Sequence, residues 1–166
     1  LVVGAPFKDG NTYSYIGAAY VYSREGEVWN DTPVKLSHSD AEDLVTSYRF
    51  GKAVDVDAEG VVIAVAAGVG KVFVFESDGT GGWSESLAIS EVSADSTTGF
   101  GDALALSDDG AFLAVGAPLH DSSFQEICWV SDADDCSGDE MTTGTATDLG
   151  AVFLYERGGD DWSTGS

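Results

Sequence analysis

Apolar residues gather in short runs that lack helical spacing. "AVDVD" and "VVIAVAA" are apolar at consecutive positions and split by "AEG", and "ALALS" and "FLAVGA" repeat the arrangement around "DDG". Runs of this kind predict strands buried on both faces. The short acidic-glycine breaks predict hairpins, because Gly supplies the positive φ of a tight turn without a Cβ clash. A third run follows a Gly in each case, "GKVFVFE" from Gly70 and "GAVFLYE" from Gly150, and alternates more loosely. A fourth, "WSESLAI" from Trp83, sets Ser and Glu between apolar residues, the pattern of an edge strand guarded by charge. The chain is predicted to be all-β.

These runs repeat. Residues 50–68 align without a gap on residues 100–118: Phe50-Gly51 matches Phe100-Gly101 fifty positions on, and Gly60 matches Gly110. "LVVGAP" at the start matches "LAVGAP" at 113–118, and "GAAYVYS" from Gly17 matches the later Gly-led strands. Trp29, Trp83 and Trp162 follow those strands in turn. A period near fifty residues predicts a repeat architecture in which each unit is one four-stranded antiparallel sheet. A sheet with inner strands apolar on both faces must lie between copies of itself, and copies set around an axis make a β-propeller. A solenoid or a sandwich of stacked hairpins is the other arrangement open to such units.

The order Phe-Gly, tight turn, Gly-Ala-Pro, aromatic strand, Trp resembles the FG-GAP repeat of the integrin α-subunit type of β-propeller. The resemblance covers essentially the whole chain. It implies a propeller, usually seven-bladed, in a secreted or cell-surface protein that binds partners and carries no active site. On that pattern residues 1–49 are strands 2–4 of a partial blade with the following loop. Residues 50–99 are a complete blade, and 100–166 a third with an insertion at 119–149 between its strands 2 and 3. The whole reads as part of a larger ring. Gly51 and Gly101 are expected where neighbouring blades approach most closely, and Pro118 where the ladder stops for want of an N–H.

Two departures from the family matter. The middle repeat has "AAG" where the others have "GAP". Many blades of this family hold calcium in an Asp-rich loop between strands 1 and 2. Here Asp55, Asp57 and Glu59 imitate the start of such a loop, but Ile63 stands where the closing carboxylate belongs. Calcium takes six to eight oxygens, more than a tight hairpin supplies. No cofactor and no tight calcium site are expected, with Asp55, Asp57 and Glu59 the sole metal candidates.

Charge narrows the partners. The chain has 29 Asp and Glu against 7 Lys and Arg, a formal net charge of −22, with 43% apolar residues to form a core. Such a polyanion repels nucleic acid and anionic membranes and attracts cations or basic protein patches; adaptation to a salty medium is the plainer reading. No apolar run approaches the roughly 18 to 20 residues of a membrane span. With no initiator Met or leader in view, the chain reads as a mature fragment. Cys128 and Cys136, in "CWVSDADDC", suit a local disulfide formed in an oxidising compartment, two unpaired thiols being the alternative. "NDT" at Asn30 is a glycosylation sequon, disfavoured by Pro33. An extracellular or cell-surface location is expected.

No catalytic constellation emerges. His38 and His120 lie in polar loops, and no Ser, His and Asp set has positional support. Loop length is more telling. On one rim the 1–2 turns are minimal; on the other lie the long loops 7–16, 37–49, 90–99 and 119–149, and long loops on a rigid scaffold are where recognition resides. The 119–149 insertion sets Trp129 among Asp121, Glu126, Asp132, Asp134, Asp135, Asp139 and Glu140, a candidate surface for a protein or glycan ligand. Adhesion or ligand recognition is the leading function. A structural module of a surface fibre and an accessory domain of a secreted hydrolase are the alternatives.

Overall fold

The structure, a computed structural model, describes residues 1–42, 46–90, 98–120, 128–129, 150–158 and 161–163. Among them the fold is all-β, with a single 3-10 turn at Ser39–Glu42. The first sheet joins β1 (Val2–Gly4), β2 (Ala19–Val21) and β5 (Val34–Lys35), and a separate hairpin of β3 (Arg24–Glu25) and β4 (Val28–Trp29) interrupts it. The second is a meander of β6 (Val54–Val56), β7 (Val62–Ala67), β8 (Lys71–Ser77) and β9 (Trp83–Ser90), each antiparallel to the next. The third takes β10 (Ala103–Leu106), β11 (Phe112–Ala117), β13 (Ala151–Gly158) and β14 (Asp161–Ser163), all antiparallel. Within it β12 (Cys128–Trp129) runs parallel to β13.

The predicted four-stranded unit is complete in the second sheet. In the first, Trp29 does not lead the strand that pairs with β2. It closes the β3–β4 hairpin, where Gly26 takes φ +59° at the turn and Arg24 lies 5.5 Å over the indole ring.

The three sheets stack face to face with the second in the middle. Alternate residues of β7 and β8 serve its two sides: Val62, Ala64, Ala66, Val72 and Val74 pack with Leu113, Val115 and Ala117 of the third sheet. Ile63, Val65, Ala67, Phe73 and Phe75 pack with Val2, Ala19 and Leu36 of the first repeat. Burial therefore follows position in the sheet. All of β7 and the middle of β8 are buried, β6 is half-buried, and the edge strand β9 alternates half-buried and exposed. The looser alternation expected of the third strand is overridden by its interior place.

Phe50 and Phe100, each 2% exposed, wedge into the two interfaces, one apiece. Each such ring contributes about 2 to 3 kcal/mol. The glycines beside them are where the sheets come closest. A Cβ on Gly4 would lie 2.1 Å from the carbonyl oxygen of Gly51, and one on Gly101 would lie 2.9 Å from the Cβ of Ala66. Polar contacts stitch the second sheet to the third. Asp55 Oδ2 accepts from the Leu106 N–H at 2.7 Å, and the Ala58 N–H donates to the Asp108 carbonyl at 3.0 Å. Arg157 pairs with Glu76 at 2.8 Å, and Lys52 pairs with Asp102, its counterpart one repeat on.

Candidate functional site

The tight-turn rim spends its carboxylates on the backbone. Asp57, 5% exposed, accepts at Oδ1 from the N–H groups of Val61 (2.8 Å) and Val62 (3.1 Å), closing the β6–β7 turn. Asp55 bonds the Val56 N–H at 2.9 Å through one oxygen and the third sheet through the other. Glu59 is exposed, and Ile63 is fully buried in the sheet interface. Asp55 and Asp57 thus brace the turn and the neighbouring sheet, while Asp57 Oδ2 is buried with no hydrogen-bond partner among the described residues. On the same rim a cleft of about 730 Å³ opens between the first and second sheets, walled by Val21, Trp29, Val56 and Trp83. Asn30 lies at its mouth, exposed, with its side-chain oxygen accepting from the Thr32 N–H at 3.0 Å.

The long-loop rim holds a different construction. The loop after β1 closes on itself: the Ala5 and Ala18 backbones exchange hydrogen bonds, the Gly17 N–H donates to the Lys8 carbonyl, and the Tyr15 N–H donates to Asp9 Oδ1 at 2.9 Å. Against it runs the segment leading into β6. The N–H groups of Ser47, Arg49 and Phe50 donate to the carbonyls of Ser14, Tyr15 and Ile16, each at 2.9 Å. Among the described residues the non-glycine residues with left-handed backbone are Tyr15 (φ 56°), Ser47 (φ 68°) and Arg49 (φ 55°), all in this junction. Each costs on the order of 1 to 3 kcal/mol and persists only where its surroundings hold it.

What holds it is Tyr48, 3% exposed between two of the strained residues. Its hydroxyl donates to Asp40 at 2.7 Å, and the Lys71 ammonium donates to the same carboxylate oxygen. The His38 ring lies over Tyr48 at 5.3 Å and over Phe50 at 4.3 Å, with Phe73 at 4.9 Å. Burial holds the His38 pKa below its ordinary value, against the opposing pull of Asp40 and Glu85. The hydrogen bond from Lys71 lowers that of Asp40, and burial, with Asp40, raises that of Tyr48. His38 is a core histidine, which its polar sequence neighbours concealed.

Above this anchor, aromatic rings face solvent. Phe7 is 66% exposed, Tyr13 and Tyr15 each 45%. Phe7 and Tyr15 meet edge to face at 6.0 Å, and the Arg49 guanidinium lies 5.7 Å from the Phe7 ring. The Arg49 stem runs past Gly68, where a Cβ would sit 3.1 Å from it, and the Gly68 N–H donates to the Tyr48 carbonyl at 2.8 Å. The "AAG" departure therefore serves this rim, since proline there would supply no donor. In the third repeat, where Pro118 holds the matching place, the bond moves on one residue, from the Leu119 N–H to the Thr98 carbonyl at 2.8 Å.

The insertion residues singled out from the sequence, Asp121, Glu126, Asp132, Asp134, Asp135, Asp139 and Glu140, lie outside the described residues. So does the Cys128–Cys136 pairing. Of the insertion, Leu119, His120 and the backbone of Cys128 and Trp129 are described, the last two forming β12 beside Phe153 and Leu154 of β13. Sequence reading sets loops 7–16 and 37–49 on one rim but does not single out Phe7, Tyr13, Tyr15 and Arg49, because nothing in their order shows which residues of the two loops meet. No family model matches the chain, and no curated protein matches it.

Proposed function

We propose that this chain is a non-catalytic, extracellular recognition module built of FG-GAP-type β-propeller blades, and that a basic protein surface docks on its long-loop rim around Phe7, Tyr13, Tyr15 and Arg49. The blade reading is supported by geometry recurring at the repeat spacing. Gly51 and Gly101 share φ +87° and +84°, and Gly17, Gly70 and Gly150 enter their strands at +81°, +73° and +76°.

The observation that carries the docking reading is a coincidence: exposed aromatic rings stand on the junction where the non-glycine left-handed residues collect. Strain of that kind gathers at binding sites because it fixes side chains in advance of the ligand. Tyr and Arg are the side chains that dominate binding energy at protein interfaces. A formal charge of −22 steers basic partners toward the chain and rejects acidic ones.

Selection of a random peptide library on the chain tests this. Lys- and Arg-rich peptides should emerge, lose affinity as salt rises, and bind a Phe7→Ser/Tyr13→Ser variant about tenfold more weakly. Selected peptides that bind wild type and variant equally would overturn the rim assignment.

A further inference from the structure

The repeat sets Trp29 and Trp83 at matching places in successive units, so they should stand a full unit apart. Instead both line the one cleft between the first and second sheets. Trp83 opens β9 and packs, half-buried, on the core those sheets share. Trp29 leaves its sheet for the β3–β4 hairpin, where it is 46% exposed, and reaches the same cleft from the first repeat. An indole so exposed, carried by a hairpin that departs from the repeat, adds little to the core. Leu1 touches the cleft, but the rest of its lining comes from residues 21–34 and 56–83, two uninterrupted stretches described throughout. A further unit stacked on either side would not enter it, because it lies between two sheets already in contact.

The lining narrows the ligand by charge. The chain carries 29 Asp and Glu, yet none is among the lining residues, so the cleft offers a cation no carboxylate. An anion meets a formal charge of −22, with Arg24 alone among the lining side chains to offset it. An uncharged ligand suffers neither disadvantage. The cleft, about 730 Å³, is of the size that holds small molecules, and it joins aromatic walls to a few polar groups. An indole face is electron-rich and attracts the partly positive C–H bonds on the face of a pyranose ring. The hydroxyls around the edge of such a ring need donors and acceptors. Arg24, the cross-strand partner of Trp29, lies 5.5 Å over its ring and brings forked N–H donors beside it. Asn30 Oδ1 accepts from the Thr32 N–H at 3.0 Å, which fixes the side chain and leaves its NH2 group to donate. Ser23 and Thr32 add hydroxyls to the lining. We infer that the cleft binds a short neutral saccharide, its rings against Trp29 and Trp83 and its hydroxyls bonded to Arg24 and Asn30. The site lies on the tight-turn rim and stands whether or not a protein docks on the long-loop rim.

The test follows the indole N–H signals of the 166-residue chain, produced without N-glycosylation, by proton–nitrogen correlation spectroscopy. Neutral di- and trisaccharides of glucose, galactose, mannose and N-acetylglucosamine are added in turn, to about 10 mM. At least one should shift the signals of Trp29 and Trp83 with a dissociation constant near or below about 1 mM. Trp29→Ala should weaken that binding by about tenfold and Arg24→Ala severalfold. Phe7→Ser/Tyr13→Ser, at the other rim, should bind the saccharide as wild type does, and the uronic-acid counterpart of the best binder should bind more weakly. Near-ultraviolet circular dichroism checks that each variant is folded, and Trp29→Phe, with a severalfold effect, replaces Trp29→Ala should the latter misfold. A panel that moves neither indole overturns the inference. So does binding that a folded Trp29 variant keeps in full, or a uronic acid or basic peptide that matches the best saccharide at the same two indoles.

Discussion

Asp57 and Ser107, fifty residues apart, make the same pair of bonds with different chemistry. Asp57 Oδ1 accepts from the N–H groups of Val61 and Val62, and Ser107 Oγ accepts from those of Ala111 and Phe112 at 3.1 and 2.9 Å. Each side chain satisfies the donors of the turn that follows it. Asp57→Ala should therefore cost about 1 to 3 kcal/mol, leaving the buried Val62 donor and the part-buried Val61 donor without this partner, whereas Asp57→Ser should recover most of the loss. Chemical denaturation of the two variants checks the order. Calcium should leave the melting temperature of wild type unmoved, because backbone donors hold both oxygens of Asp55 and one of Asp57, and the tight turn supplies too few further oxygens for the ion.

Glycine substitutions should rank by what surrounds them. Gly51 has φ +87° and a Cβ there would lie 2.3 Å from the Ala18 carbonyl oxygen; Gly60 has φ +72° and nothing within 4 Å. Gly60→Ala should cost about 1 to 2 kcal/mol, the penalty of left-handed backbone alone. Gly51→Ala should cost well beyond that and abolish cooperative melting. Equal losses at the two positions would refute the close approach.

Acid should destabilise the fold in two steps. The folded-state pKa of His38 lies below its ordinary value, so the unfolded chain takes up the proton first, and stability falls as pH drops below about 6.5. Asp40 also has a lowered folded-state pKa. Its contribution is present above the usual carboxylate range and is lost as pH falls through the folded value. His38→Phe should remove the first step and leave the second, as read from denaturation midpoints between neutral and acid pH.

At the rim, stability and binding should separate. Tyr15→Gly relieves left-handed strain but loosens the unfolded chain, and the two effects should cancel to within about 1 kcal/mol. Affinity for selected basic peptides should nevertheless fall, because the ring that meets Phe7 is gone. A variant that binds as wild type would detach Tyr15 from recognition.

The repeat made much of the fold legible. The consecutive apolar run of β7, the alternation of β9, the turn glycines and the recurring Phe-Gly pairs all follow from local sequence and a fifty-residue period. What stayed hidden depends on contacts between distant segments. Trp29 reads from the repeat as part of a fourth strand, like Trp83, yet closes a separate hairpin, since β-branched and aromatic residues suit both. His38 looked like a loop residue because its stacking partners come from positions 48, 50 and 73. The rim depends on backbone signs at Tyr15, Ser47 and Arg49, which no residue type announces.

The inner strands of the second sheet, β7 and the middle of β8, have no solvent face, and this sets the sequence of opening events. These strands cannot separate until a neighbouring sheet has moved away, whereas among the described residues the first and third sheets each pack against the second alone. In amide exchange the N–H groups of Ile63 through Ala66 and of Val72 through Val74 should be the slowest, opening only with global unfolding. The outer sheets should exchange earlier, through partial openings that peel inward one layer at a time.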